Sequence, residues 1–236
     1  MRRWILWSLL AIASVVAAGL GWLWFAGGSG EPSTDLTTPP LVGGSTTTTF
    51  SDGTPTSGAT DPADGAVAFV IDQGRSTATY EVDEILRGNP NRVVGVTSQV
   101  AGQVAFDPAD LAGIQFSEIL VNARTFETDS STRDRQVRGP IVLDSASDEF
   151  EFITFTVTEV SGLPASAEVG DSLALQVSGD LTIKGTTNEV TFDLAVSYAD
   201  ADTITGTAST TVTRSDFGIG IPQVPSVAGV DEEVTI

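Results

Sequence analysis

Between residues 171 and 198 the chain reads DSLALQVSGDLTIKGTTNEVTFDLAVSY, with an apolar side chain or glycine at every second position. Leu173, Leu175, Val177, Gly179, Leu181 and Ile183 form the first series, and Val190, Phe192, Leu194, Val196 and Tyr198 the second. A period of two describes a strand with one dry face and one wet face. The break at Lys184, Gly185, Thr186 and Thr187 predicts the turn of a long antiparallel hairpin, its glycine supplying a geometry that residues with side chains resist.

The same reading extends along the chain. Residues 67–71 and 77–84 read as strands, and a second long alternation places Val94, Val96, Ser98, Val100, Gly102, Val104 and Phe106 on one face. Gly102, inside that pattern, marks a bend or bulge. Residues 114–126 form another strand, with Phe116, Glu118, Leu120 and Asn122 on one side. The alternation stops at TDSSTRDRQVRG, residues 128–139, where serine and threonine suit the start of a short helix near Ser131. Residues 150–160 and 203–214 supply further strands, and Val234, Thr235 and Ile236 begin a last one. About eight or nine antiparallel strands leave two architectures, a β-sandwich or a closed barrel, and long strands favour the barrel.

Ahead of this β region the pattern changes. Residues 4–25 carry no charge and are long enough, at about 1.5 Å per residue, to cross a hydrocarbon core of about 30 Å. Arg2 and Arg3 place the N-terminus in the cytoplasm and the remainder outside. Trp4, Trp7, Trp22 and Trp24 suit the two interfaces. The apolar run exceeds the core of a cleaved signal peptide, which favours an uncleaved anchor, although the small residues Ala26, Gly27 and Gly28 leave cleavage open. Residues 27–64, rich in glycine, serine, threonine and proline, read as a disordered tether. The expected organisation is thus a membrane anchor over 1–26, a linker over 27–64 and a β domain over 65–236.

Composition narrows the chemistry. The 236 residues contain no cysteine and no histidine, which removes thiol redox chemistry, disulfides, imidazole metal sites and histidine-dependent triads. Arg2 and Arg3 precede the apolar run and every acid follows it, leaving nine cations against 31 acids beyond it, a net −22. Such a surface repels nucleic acid and anionic headgroups. Gly218-Ile219-Gly220 lacks the spacing of a dinucleotide loop, and Asp200 and Asp202 carry no calcium-loop signature. No cofactor, metal or enzymatic activity is expected.

Four segments carry a resemblance to the YceI-like family. Gly179-Asp180-Leu181-Thr182-Ile183-Lys184-Gly185-Thr186-Thr187 resembles the family phrase G-x-L-T-i-x-G-x-T, and Thr213-Arg214-Ser215-Asp216-Phe217-Gly218-Ile219 resembles R-x-D-F-G. Gly74 to Tyr80 resembles the opening D-x-x-H-S-x-i-x-F, with Arg75 where histidine is frequent. Thr125 to Asp129 and Arg133 to Arg138 resemble S-i-x-T and R-D-x-H-L-r-s, with Gln136 and Val137 in place of the histidine and leucine. Phe150 to Glu159 resembles y-P-x-i-x-F-x-S without its proline. The resemblance implies an all-β, lipocalin-like antiparallel barrel of about eight strands outside the cytoplasm. It further implies carriage of an isoprenoid or other long-chain lipid without chemistry, and leaves pairing into a homodimer open.

A carrier needs an interior that is apolar but unfilled, since each buried methylene is worth about 0.8 kcal/mol. The dry faces assigned to that lining are Val94, Val96, Val100, Val104 and Phe106; Phe116 and Leu120; Phe152; Leu173, Leu175, Val177, Leu181 and Ile183; and Phe192, Leu194 and Val196. The same residues would equally fill an ordinary core, and a surface-displayed structural or adhesive β domain is then the alternative. Arg133, Asp134 and Arg138 are the polar candidates for a cavity mouth, against an ordinary solvated helix. Arg214 with Asp216 reads as a pair fixing the last hairpin.

Overall fold

The longest run of alternation becomes the longest hairpin. In a computed structural model, which describes residues 30–33, 36–41 and 65–236, strands β9 (Ser172–Ile183) and β10 (Thr186–Asp200) pair in register from Ile183↔Thr186 to Ser172↔Ser197. Lys184 and Gly185 alone form the turn, at φ of 50° and 74°. Two successive left-handed residues match the twist of the flanking strands, so Thr186 and Thr187 join the strand rather than the loop. Arg87 and Gly88 repeat the device, at φ of 52° and 82°, between β2 (Ala78–Leu86) and β3 (Asn89–Thr97).

The remaining strands are β1 (Val67–Val70), β4 (Val100–Ala101), β5 (Gln103–Asp107), β6 (Asp110–Phe116), β7 (Ile119–Asn122), β8 (Phe152–Ser161), β11 (Thr203–Ser209), β12 (Thr211–Thr213), β13 (Val227–Val230) and β14 (Glu233–Thr235). All pairings are antiparallel. One sheet runs β11-β10-β9-β8-β7-β4, a second β1-β5-β6, and a third β12-β14-β2-β13 with β3 on the other side of β2. The sheets hand over to one another inside bent strands. β3, β4 and β5 follow almost without interruption, as do β6 with β7 and β11 with β12. The result is a strongly curved antiparallel half-barrel of the lipocalin-like kind, with Gly102 at one bend as expected.

One end is capped. The connection from β7 to β8 holds a short helix α1 (Ser131–Val137) and packs Ala123, Phe126, Val137 and Leu143 with Leu181, Ile183 and Phe217 into the larger core. Lys184 Nζ donates to Pro140 O at 2.6 Å and so ties the β9-β10 turn to that cap. At the far end Phe106, Leu111 and Ala167 form a smaller core with Phe69 and Tyr198 packed on it.

Part of the presumed tether is not loose. Residues 30–33 and 36–41 lie against the wall, with Leu41 buried and bridged to Ser117. Arg124 Nη1 donates to Glu31 O at 2.9 Å, and Ser33 N–H donates to Glu151 Oε1 at 2.7 Å. Among the described residues no helix is long and apolar enough to cross a membrane; the apolar run 4–25 lies outside them.

Candidate functional site

Strand register decides which side chains face inward. On β9 the inward row is Leu173, Leu175, Val177, Gly179, Leu181 and Ile183, and on β10 it is Val190, Phe192, Leu194, Val196 and Tyr198. Val190 packs on the capped core and Tyr198 on the far one. Eight residues separate them, about 27 Å at roughly 3.4 Å per residue. Along that distance Phe192, Leu194 and Val196, with Leu173, Leu175 and Val177 across the ladder, belong to neither core. Phe192 meets Phe155 of β8 edge to face, with ring centroids 5.0 Å apart. Gly179 makes room for this pair, because a Cβ there would lie 2.8 Å from the Phe155 ring.

The other expected lining residues divide. Leu181 and Ile183 fill the capped core. Phe106 and Val104 belong to the far core, where Phe106 stacks on Phe69 at 5.4 Å, and Phe116 pairs with Val104 in the ladder. Val100 is buried. Four residues face the wrong way. Val94 and Val96 are 39% and 37% exposed, because β3 turns Val93, Gly95 and Thr97 inward instead. Leu120 pairs with Thr154 and Phe152 with Asn122, whereas Val121 and Ile153 pair on the core side. Leu120 and Phe152 therefore lie on the opposite face. An open pocket of about 580 Å³ is lined by Gln176, Asp193 and Ser209 of the outward rows together with Leu175 and Leu194.

The polar residues of the cap are tightly committed. Arg133 reaches under the cap to buried Glu84, Nη2 to Oε1 3.0 Å, and also pairs with Asp129. Asn91 Nδ2 donates to the same Glu84 oxygen at 2.9 Å. Asp134 faces back into its own loop, accepting from Thr128 N–H at 2.8 Å and Thr128 Oγ1 at 2.6 Å, so it closes the helix entry and does not serve a mouth. Arg138 Nη2 donates to Phe126 O at 3.0 Å, while its buried Nε has no partner among the described residues. Arg214 pairs with Glu232, not with Asp216.

A residue absent from the expected site stands beside them. Tyr80 lies on the inward row of β2, its ring edge-on to Phe126 at 5.3 Å and laid over Gly95 of β3. Its hydroxyl is buried without a partner among the described residues. Burial pushes its pKa up to about 12, against a smaller pull downward from Arg133, so at neutral pH it is an uncharged donor. The series Ala78, Tyr80, Val82 and Glu84, alternating on one face, was the signal in the sequence. No group of three or more metal-ligating side chains occurs among the described residues. Tyr80 Oη–H and Arg138 Nε–H are thus two buried donors without a partner among the described residues at the capped end.

Fold and interior together define a lipocalin-like antiparallel half-barrel, capped at one end, with an apolar stretch between two cores. The YceI-like domain model matches residues 69–236, and the chain belongs to that family. UPF0312 proteins of Staphylococcus aureus strains MSSA476 and MW2 are 27% identical over 168 residues, covering 69% of this chain and 88% of theirs. Among solved structures, BcnA of Burkholderia cenocepacia is 25% identical at a TM-score of 0.54, covering 70% of this chain and 94% of that one. A polyisoprenoid binding domain from Saccharophagus degradans, implicated in plant cell wall breakdown, shares the fold at 12% identity and a TM-score of 0.50, covering 71% and 92%.

Proposed function

We propose that this protein binds an isoprenoid or other long-chain lipid along the inner faces of β8, β9 and β10, outside the cytoplasm, and carries it without transforming it. The observation that carries the reading is the row of six apolar side chains between the two cores, Leu173, Leu175, Val177, Phe192, Leu194 and Val196. Membership in the YceI-like family supports a general lipid-carrier role, and the neutral donor Tyr80 supports a ligand with a polar end near the cap. Residues 4–25 serve, in this reading, as a single-pass anchor with Arg2 and Arg3 on the cytoplasmic side.

The test is mass spectrometry of an organic extract of the protein, purified from cell envelopes without detergent. A stoichiometric isoprenoid supports the reading and gives its chain length. An empty extract, with no uptake of added polyprenol, overturns it in favour of a filled display domain.

A further inference from the structure

The strap formed by residues 30–33 and 36–41 has a direction. Its first residues dock at the capped end, where Arg124, only 5% exposed, holds Glu31 O, Ser145 O and Ala146 O. Arg124 also pairs with buried Glu151 at 3.0 Å, and Glu151 in turn accepts from Ser33. Gly30 sits directly on that guanidinium, and a Cβ there would collide with it and come within 2.9 Å of Ala146 O. From this point the strap runs toward the middle of the wall, where Gln103 Nε2 donates to Pro39 O at 2.7 Å and Leu41 meets Ser117.

The apolar run ends at Phe25, five residues before Gly30. Five steps of extended chain reach at most about 17 Å. A free tether of residues 26–64 would instead give a mean reach of roughly 35 Å and no preferred orientation. The cations are unevenly placed between the two ends. Of the nine cations beyond the apolar run, all but Arg75 lie at or near the capped end. Arg87, Arg135 and Lys184 have no carboxylate partner among the described residues. Acids outnumber cations at both ends, and among the described residues Asp107, Asp110, Glu168, Asp171, Asp200 and Asp202 of the far turns and loops make no ion pair.

We propose that the docked strap holds the capped end of the half-barrel against the phospholipid bilayer and points the far end away from it. The orientation rests on the single-pass anchor of the preceding reading but not on lipid carriage.

The absence of cysteine makes the test direct. The full chain carrying either Gln136→Cys, on α1, or Asp202→Cys, in the β10-β11 turn, is labelled with a thiol fluorophore. Each is reconstituted into phosphatidylethanolamine/phosphatidylglycerol vesicles bearing an acceptor lipid. Strands of 12 and 15 residues separate the two ends by about 40 Å or more, so transfer is expected to be several-fold higher from residue 136. Gly30→Val, which unseats the strap away from the interior, is expected to abolish the contrast while leaving copurified lipid unchanged. Equal or reversed transfer, recovery of the chain in the soluble fraction, or a contrast that survives Gly30→Val would each overturn the orientation. Lipid content of the same samples, read by mass spectrometry, tests carriage separately.

Discussion

Val177→Phe separates an open interior from a filled one, because the two make opposite demands on the same side chain. Val177 is buried on the inward row of β9, paired with Phe192 and Val160 and outside both cores. If the space beside it is reserved for a ligand, the added ring enters that space and displaces at least one five-carbon unit. At about 0.8 kcal/mol per methylene the loss is about 4 kcal/mol, or roughly a thousandfold in affinity. The ligand-free protein would be as stable as before. In a close-packed interior the same ring has nowhere to go, and overpacking costs about 1–3 kcal/mol, a fall in Tm of about 2–12 °C for a domain of this size. The assay pairs thermal unfolding of the delipidated protein with titration by a fluorescent polyprenol. An unchanged Tm with lost binding is expected. A lowered Tm with no binding in either wild type or variant would refute the carrier reading.

Other residues give independent expectations. Arg124→Ala strands the buried Glu151 carboxylate and frees three carbonyls, so urea unfolding is expected to show a loss of about 3–5 kcal/mol. Gly179→Ala places a Cβ against Thr156 O and the Phe155 ring, and the backbone cannot yield cheaply; a loss of about 1–3 kcal/mol is expected in the same measurement. Tyr80 ionises near pH 12 when folded against about 10 when unfolded. The folded state therefore holds its proton more tightly, and stability is expected to fall by roughly 2–3 kcal/mol as pH rises from about 10 to about 12. Tyr80→Phe should remove that fall, and phenolate absorbance should place one of the two tyrosines near pH 12 in the folded protein.

What was legible in the sequence was parity, and it failed where parity was ambiguous. In β9 and β10 apolar residues occupy one face and polar residues the other, so the register admits one reading. In residues 93–100 valines stand at both parities, at 93, 94, 96 and 100. The interior takes Val93, Gly95 and Thr97, because the Tyr80 ring needs the empty place at Gly95 and Thr97 Oγ1 meets Thr125 Oγ1 at 2.6 Å. The step between β3 and β4 then shifts the inward series by one, which carries Val100 back inside. Residues 119–121 and 152–153 are apolar at successive positions, so alternation could not choose between Leu120 and Val121, or Phe152 and Ile153. The strap was invisible for a different reason. Composition reports what side chains can bury, whereas residues 30–33 are held largely through Glu31 O and Ser33 N–H by an arginine and a glutamate more than 90 positions away. The signal for the strap therefore lay in the buried ion pair of Arg124 and Glu151, not in the segment itself.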